Sequence, residues 1–139
     1  MITLPQVFMA ASALVVFMLG SVHLLYMFRG EKLHPRDAVL EAQMKSVSPV
    51  LTRQTTMWRA WIGFNASHSL GAIFFGLIYG YLALAQSQVL FHSHFLMLVG
   101  LALLLGYVAL ARAYWFSIPF RGILLSLGLY LGAFVANWL

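Results

Sequence analysis

The sequence has no cysteine, only three acidic residues, and little charge of either sign. The lack of cysteine excludes disulfides, thiolate nucleophiles, iron–sulfur clusters and cysteine-based zinc sites. The three acids, Glu31, Asp37 and Glu41, all lie in one segment between apolar stretches. Because no apolar stretch contains a carboxylate, carboxylate-driven proton antiport and divalent-cation sites built from oxygen ligands are disfavoured.

Apolar side chains dominate the composition: 63% of the 139 residues are hydrophobic and 8% are charged. Soluble domains average about 25% charged residues, so this is the composition of a membrane protein. Four stretches are long enough to cross a hydrocarbon core, which takes about 20 helical residues. They cover approximately residues 5–28, 58–85, 94–116 and 119–139. The sequence therefore predicts an all-α integral membrane four-helix bundle, with residues 1–139 forming a single transmembrane domain.

The basic residues indicate how these spans are oriented. Arg112 and Arg121 flank the third connection, and the connection over residues 86–93 has no charge. The first connection carries five basic residues: Arg29, Lys32, Arg36, Lys45 and Arg53. Positively charged connections stay in the cytoplasm, so we expect both termini on the outer, periplasmic side of a bacterial inner membrane. The net charge of +5 thus reflects topology and does not indicate nucleic-acid binding. We also expect the first span to be retained, because its basic residues follow it.

The first connection contains the pattern of a short amphipathic helix over about residues 35–47. Pro35 is suited to open this helix and Asp37 to its first turn. We expect the helix to lie on the cytoplasmic face of the membrane, where it anchors the connection or covers a site beneath it. Ser48 and Pro49 are then expected to begin another helix that continues into the second span.

Small residues recur along one face of each span. Helices in lipid associate through such faces, so they predict either packing within a compact bundle or contact with a second copy or another subunit. The clearest series are Ala72, Gly76 and Gly80 in the second span, Ala102, Gly106 and Ala113 in the third, and Gly128, Gly132 and Ala136 in the fourth.

The most informative stretch is WIGFNASHSLG, residues 61–71, which places amide, hydroxyl and imidazole groups inside the second span. Asn65 and His68 share a helix face because they are three residues apart. The other spans also have polar side chains within about 8–14 Å of their basic ends, at about 1.5 Å per residue. The whole set, which we expect to form one layer in the cytoplasmic half, is His23, Asn65, His68, Tyr107 and Ser126.

Three interpretations of this layer remain open. The side chains either bond one another and fix the helix register, or hold the polar head of an amphipathic ligand such as a lipid, isoprenoid or quinone. Alternatively, His23 and His68 either ligate a haem b or another metal in a redox protein or serve a small membrane enzyme, with a histidine as general base. The ligand interpretation requires no metal or cofactor. Its candidate binding residues are His23, Asn65, His68, Tyr107, Ser126, Trp61, Arg112 and Arg121.

Two further groups of residues have both a structural and a functional interpretation. Arg112 and Arg121 bracket an aromatic hairpin, which either anchors the chain at the membrane interface or contacts an anionic head group. His92 and His94 alternate in the outer connection as some metal ligands do. They have no third ligand nearby, so we interpret them as residues of a surface loop.

The strings FNASHSLG and YWFSIP, with the GxxxG helix between them, resemble a family of small, uncharacterised bacterial membrane proteins with four transmembrane helices. The resemblance covers most of the chain and implies a fold and a bacterial inner membrane, but no activity. From the polar layer and the small-residue faces we expect a protein that binds an amphipathic ligand or serves as an accessory subunit of a membrane complex. The expected partners are membrane lipid and either further copies of the chain or other subunits.

Overall fold

The computed structural model describes residues 2–138, and every regular element in that range is an α-helix. Helices α1, α3, α5 and α6 are long and apolar enough to cross a membrane, so the chain is a multi-pass membrane protein. The four predicted spans are confirmed, with ends displaced by at most three residues. The helices are α1 (Leu4–Phe28), α2 (Ala38–Ser46), α3 (Met57–Ala85), α4 (Ser87–His92), α5 (His94–Tyr114) and α6 (Ser117–Ala136).

The described residues fall into two compact units. One contains the chain up to Leu19 and from Ala72 onward, and the other is Gly20–Gly71. The first unit includes segments of all four long helices, and each of them contributes to its buried core: Met9 from α1, Phe75 from α3, Leu104 from α5 and Tyr130 from α6. The four apolar helices therefore form an all-α bundle, as predicted.

Gly76 marks a close approach between α1 and α3 in the first unit. A Cβ at this position would lie 2.5 Å from Phe17 Cβ and 2.8 Å from the Ala13 carbonyl oxygen. Ala72, one turn earlier, is also buried. Only a small residue permits this spacing, so the predicted packing face of α3 is used inside the bundle.

Gly106 and Gly128 have the opposite environment, since a Cβ at either would meet no atom within 4 Å. Of the two alternatives for the Gly106 face, packing inside the bundle does not occur in the structure, and contact with a second copy or another subunit stays a prediction. Helix α5 instead buries the face that carries Met97, Gly100 and Leu104, which is nearly opposite at about 100° per residue. This face carries the large side chains of Met97 and Leu104. Packing it into the core buries more apolar surface than packing a row of glycine and alanine would.

Hydroxyl groups join distant helices of the first unit. The Ser12 hydroxyl donates to the Ser126 carbonyl at 2.8 Å, and the Ser126 hydroxyl donates to the Ser12 carbonyl at 3.0 Å. Both side chains are fully buried. Tyr130 donates to the Met97 carbonyl at 2.9 Å. These bonds satisfy buried hydroxyls, which hydrocarbon would otherwise leave without partners.

The connection between α1 and α3 contains a short helix, α2, within the predicted residues 35–47, but differs from its prediction after that helix. Helix α2 begins after Asp37, whose side chain accepts a hydrogen bond from Val39 N at 2.8 Å. No helix starts at Pro49, so that prediction is wrong. The Thr52 hydroxyl accepts from the amide of Gln54, a local turn that competes with helix formation. Helix α3 begins only after Thr56.

Candidate functional site

The second unit contains a hydrogen-bonded pair of side chains from two membrane-spanning helices. His23 on α1 and Asn65 on α3 are joined by a 3.0 Å hydrogen bond between Nε2 and Oδ1. Both side chains are partly exposed. Each residue lies six positions from the arginine that marks the basic end of its helix, Arg29 for α1 and Arg59 for α3. The bond shows that these two side chains meet, as their equal distances from the basic ends predict.

A second bond fixes the direction of the first. The Asn65 amide nitrogen donates to the Trp61 carbonyl at 2.8 Å, one helical turn earlier. A reversed amide would place its oxygen against that carbonyl, two acceptors in contact. Asn65 Oδ1 therefore faces His23 and can only accept, so His23 Nε2 carries the proton. In its neutral form His23 consequently has a lone pair on Nδ1.

His68 lies beside this pair, with its ring centroid 5.8 Å from that of His23 and the two planes nearly perpendicular at 87°. Its side chain is also partly exposed. The structure thus brings together His23, Asn65 and His68, as predicted, with Trp61 attached through its backbone. We call these four residues the histidine–asparagine site.

The donor set of this site bears on metal binding. Within residues 2–138 no group of three His, Cys, Asp or Glu side chains could hold a metal ion. Axial haem ligation through Nε2 of His23 would require loss of the bond to Asn65. The arrangement of the two imidazoles is therefore closer to that of a hydrogen-bonding site than to that of a preformed pair of axial haem ligands.

The segment after α1 is attached to the first turns of α3 near the site. The Trp61 indole donates to the Leu33 carbonyl at 3.3 Å. The His34 ring lies 4.8 Å from the Trp58 ring in an edge-on arrangement, and Lys45 Nζ lies 5.2 Å from the Trp58 ring centroid. Aromatic and basic side chains therefore lie together on this unit, a combination that is frequent where a helix meets lipid head groups.

Glu41 holds the two basic partners of Trp58 in place. His34 Nδ1 donates to Glu41 at 3.2 Å, and Lys45, one turn along α2, donates to the other carboxylate oxygen. These contacts lower the pKa of Glu41, with the Lys45 hydrogen bond as the largest cause and His34 as a further one. The carboxylate therefore stays ionised and joins α2 to the segment before it.

The remaining predicted site residues belong to the first unit. Tyr107 is half-buried with its ring centroid 6.0 Å from that of Trp115. Ser126 is fully buried and bonded to Ser12. Arg112 and Arg121 are exposed, one in the last turn of α5 and the other in the first turns of α6. Whether these four contact a ligand stays a prediction.

Sequence reasoning missed two contributors to these interactions. Ser12, the partner of Ser126, lies among apolar residues of the first span. A serine in such a position indicates a hydrogen bond to a neighbouring helix, and this was the available signal. His34 was not recognised because its partners Glu41 and Trp58 lie on separate helices, joined to it only by the path of the connection.

No known protein family, curated protein or solved structure matches the chain. Its function is therefore inferred from the geometry of its own residues.

Proposed function

We propose that this protein binds an amphipathic ligand in the membrane, with the polar head of the ligand at the histidine–asparagine site. The observation that carries the proposal is the bond between His23 and Asn65, two partly exposed polar side chains well inside their spans. Polar groups at such depth are rare and mark binding sites or pathways. A ligand head group supplies the polar partners that hydrocarbon lacks.

The surroundings of the site suit an amphipathic molecule. Val22 and Phe64, the chain neighbours of His23 and Asn65, are exposed apolar side chains that offer a surface for an acyl or isoprenoid tail. Trp61, 41% exposed, lies one turn from Asn65 and provides a flat wall near the membrane interface.

The location of the site follows from the charge distribution. The basic residues of the first connection favour the cytoplasmic side of a bacterial inner membrane, with both termini outside. The histidine–asparagine site then lies about 9 Å inside the cytoplasmic ends of α1 and α3. A reporter enzyme that works only in the periplasm should be active when it is fused to the C-terminus. Activity of a C-terminal reporter that works only in the cytoplasm would contradict this orientation.

The binding proposal is tested by identifying the lipid that copurifies with the protein in mild detergent. Mass spectrometry should find one amphipathic species at near-stoichiometric amount with the wild type and with the control variant His92→Phe, whose exposed histidine lies on α4. The His23→Phe variant should lose that species while its circular dichroism stays helical. The same lipid profile in all three proteins would refute the proposal.

A second candidate role is that of a subunit in a larger membrane assembly, either with further copies of the chain or with other proteins. The open faces at Gly106 and Gly128 support it, because small residues permit close approach of another helix. A Cβ at position 106 meets no atom within 4 Å, so Gly106→Leu should block association through this face while the protein stays folded. Association is measured by purifying the protein, expressed at its native level, in mild detergent. Migration of the wild type as a monomer would exclude the subunit role.

A further inference from the structure

The hydrogen-bond pattern of the histidine–asparagine site has a direction that restricts its ligand. Asn65 donates to the Trp61 carbonyl and accepts from His23 Nε2. The chain of donors therefore runs from His23 to Asn65 to Trp61 and leaves a lone pair on His23 Nδ1. Because the His23 side chain is partly exposed, a ligand that covers the site can reach this acceptor.

A lone pair at this depth selects for donors. Hydrocarbon offers none, and an acceptor that hydrocarbon covers without a partner is unfavourable. A ligand with only carbonyl or ether oxygens would place acceptor against acceptor. It could bond to Nδ1 only if His23 took up a second proton, and a charged imidazolium inside a span is disfavoured.

We propose that the site selects head groups that carry a hydroxyl, such as a quinol or an isoprenoid alcohol, and that this hydroxyl donates to Nδ1 of His23. The inference rests on the proposed function and names its ligand class. In this arrangement His23 is the binding residue. Asn65 is a positioning residue, because it acts through His23 by keeping the proton on Nε2.

The test uses two matched pairs of probes with full-length protein in nanodiscs. One pair is geranylgeraniol and its methyl ether, in which a methyl group replaces the hydroxyl hydrogen. The other is decylubiquinol and decylubiquinone, measured without oxygen. Dissociation constants are measured by microscale thermophoresis, with empty nanodiscs to correct for partition into lipid.

We expect the hydroxyl member of each pair to bind about five- to tenfold more tightly, the ratio that one hydrogen bond typically supplies. His23→Phe should remove this preference. Tighter or equal binding of the ether and the quinone by the wild type would overturn the inference but leave the proposed function standing. If no probe binds, the inference fails, whereas the proposed function is decided separately by the lipid that copurifies.

A variant of Asn65 separates positioning from simple structural support. Asn65→Asp keeps the shape of the side chain but adds a negative charge, which favours a doubly protonated His23 with a donor at Nδ1. We expect this variant to prefer the quinone, reversing the wild-type order. Asn65→Leu, which has no acceptor, should bind both members with similar affinity. Retention of the wild-type preference by a folded Asn65→Asp protein would contradict the assigned direction.

Discussion

The packing of α1 against α3 gives a prediction whose size follows from the structure. In Gly76→Ala, the added Cβ would lie 2.5 Å from Phe17 Cβ, 2.8 Å from the Ala13 oxygen and 2.9 Å from Phe17 Cα. Two of these atoms are backbone atoms, and the position of the third, Phe17 Cβ, is fixed by the backbone. No change of side-chain rotamer therefore relieves the contacts. Carbon atoms normally approach to about 3.5–4.0 Å, so the helices must separate locally by about 1 Å.

Two opposing terms set the magnitude. Overpacking of this kind costs about 1–3 kcal/mol, and a gap of about 1 Å also weakens neighbouring contacts along the interface. Alanine is intrinsically better than glycine in a helix by up to about 1 kcal/mol. Gly106→Ala is the matched control, because it has the same propensity gain and meets no atom within 4 Å.

We therefore expect Gly76→Ala to be about 1–3 kcal/mol less stable than Gly106→Ala. The measurement is equilibrium unfolding in mixed micelles with increasing SDS, followed by circular dichroism. Gly106→Ala should unfold at or slightly above the wild-type midpoint. If Gly76→Ala were as stable as Gly106→Ala, the close approach of α1 and α3 at this glycine would be wrong.

Three further predictions concern the second unit. A double-mutant cycle of His23→Phe and Asn65→Leu should give a coupling free energy of about 1 kcal/mol, and strictly additive effects on unfolding would argue against their bond. Because the pKa of Glu41 is lowered from its ordinary value of 4.5, its contribution to stability is present above pH 4.5 and is lost as the pH falls through the lower folded pKa. Fluorescence of Trp58 should change in that acid range in the wild type but not in Glu41→Gln, and identical profiles would refute this. The purified protein should show no Soret band, and a band that His68→Ala abolished would support a haem protein instead.

Much of the candidate site could be predicted from the sequence because helix geometry converts spacing into depth. The six-residue offsets of His23 from Arg29 and of Asn65 from Arg59 placed the two side chains at one level. The face shared by Asn65 and His68 followed from their spacing of three. The partners of Tyr107 and Ser126 could not be derived in this way, since depth along a helix does not determine which neighbour a side chain faces.

The small-residue series of α3 and α5, which look alike in the sequence, show where sequence reasoning ends. Gly76 lies against Ala13 and Phe17, whereas Gly106 lies open, although each belongs to a series of small residues. The rotation of a helix about its axis depends on which of its faces buries more apolar surface against distant segments. That balance is a property of the packed bundle, and it decided that α5 buries Leu104.

The sequence by itself determined the four spans, because runs of about 20 apolar helical residues match the thickness of a hydrocarbon core. It also indicated that His23 and Asn65 lie at similar distances from the basic ends of their helices. Only the tertiary structure decided that Ser126 bonds to Ser12, 114 residues away, and that His23 donates to Asn65. Hydrogen bonds have direction and short range, so their partners are chosen only after the helices have packed.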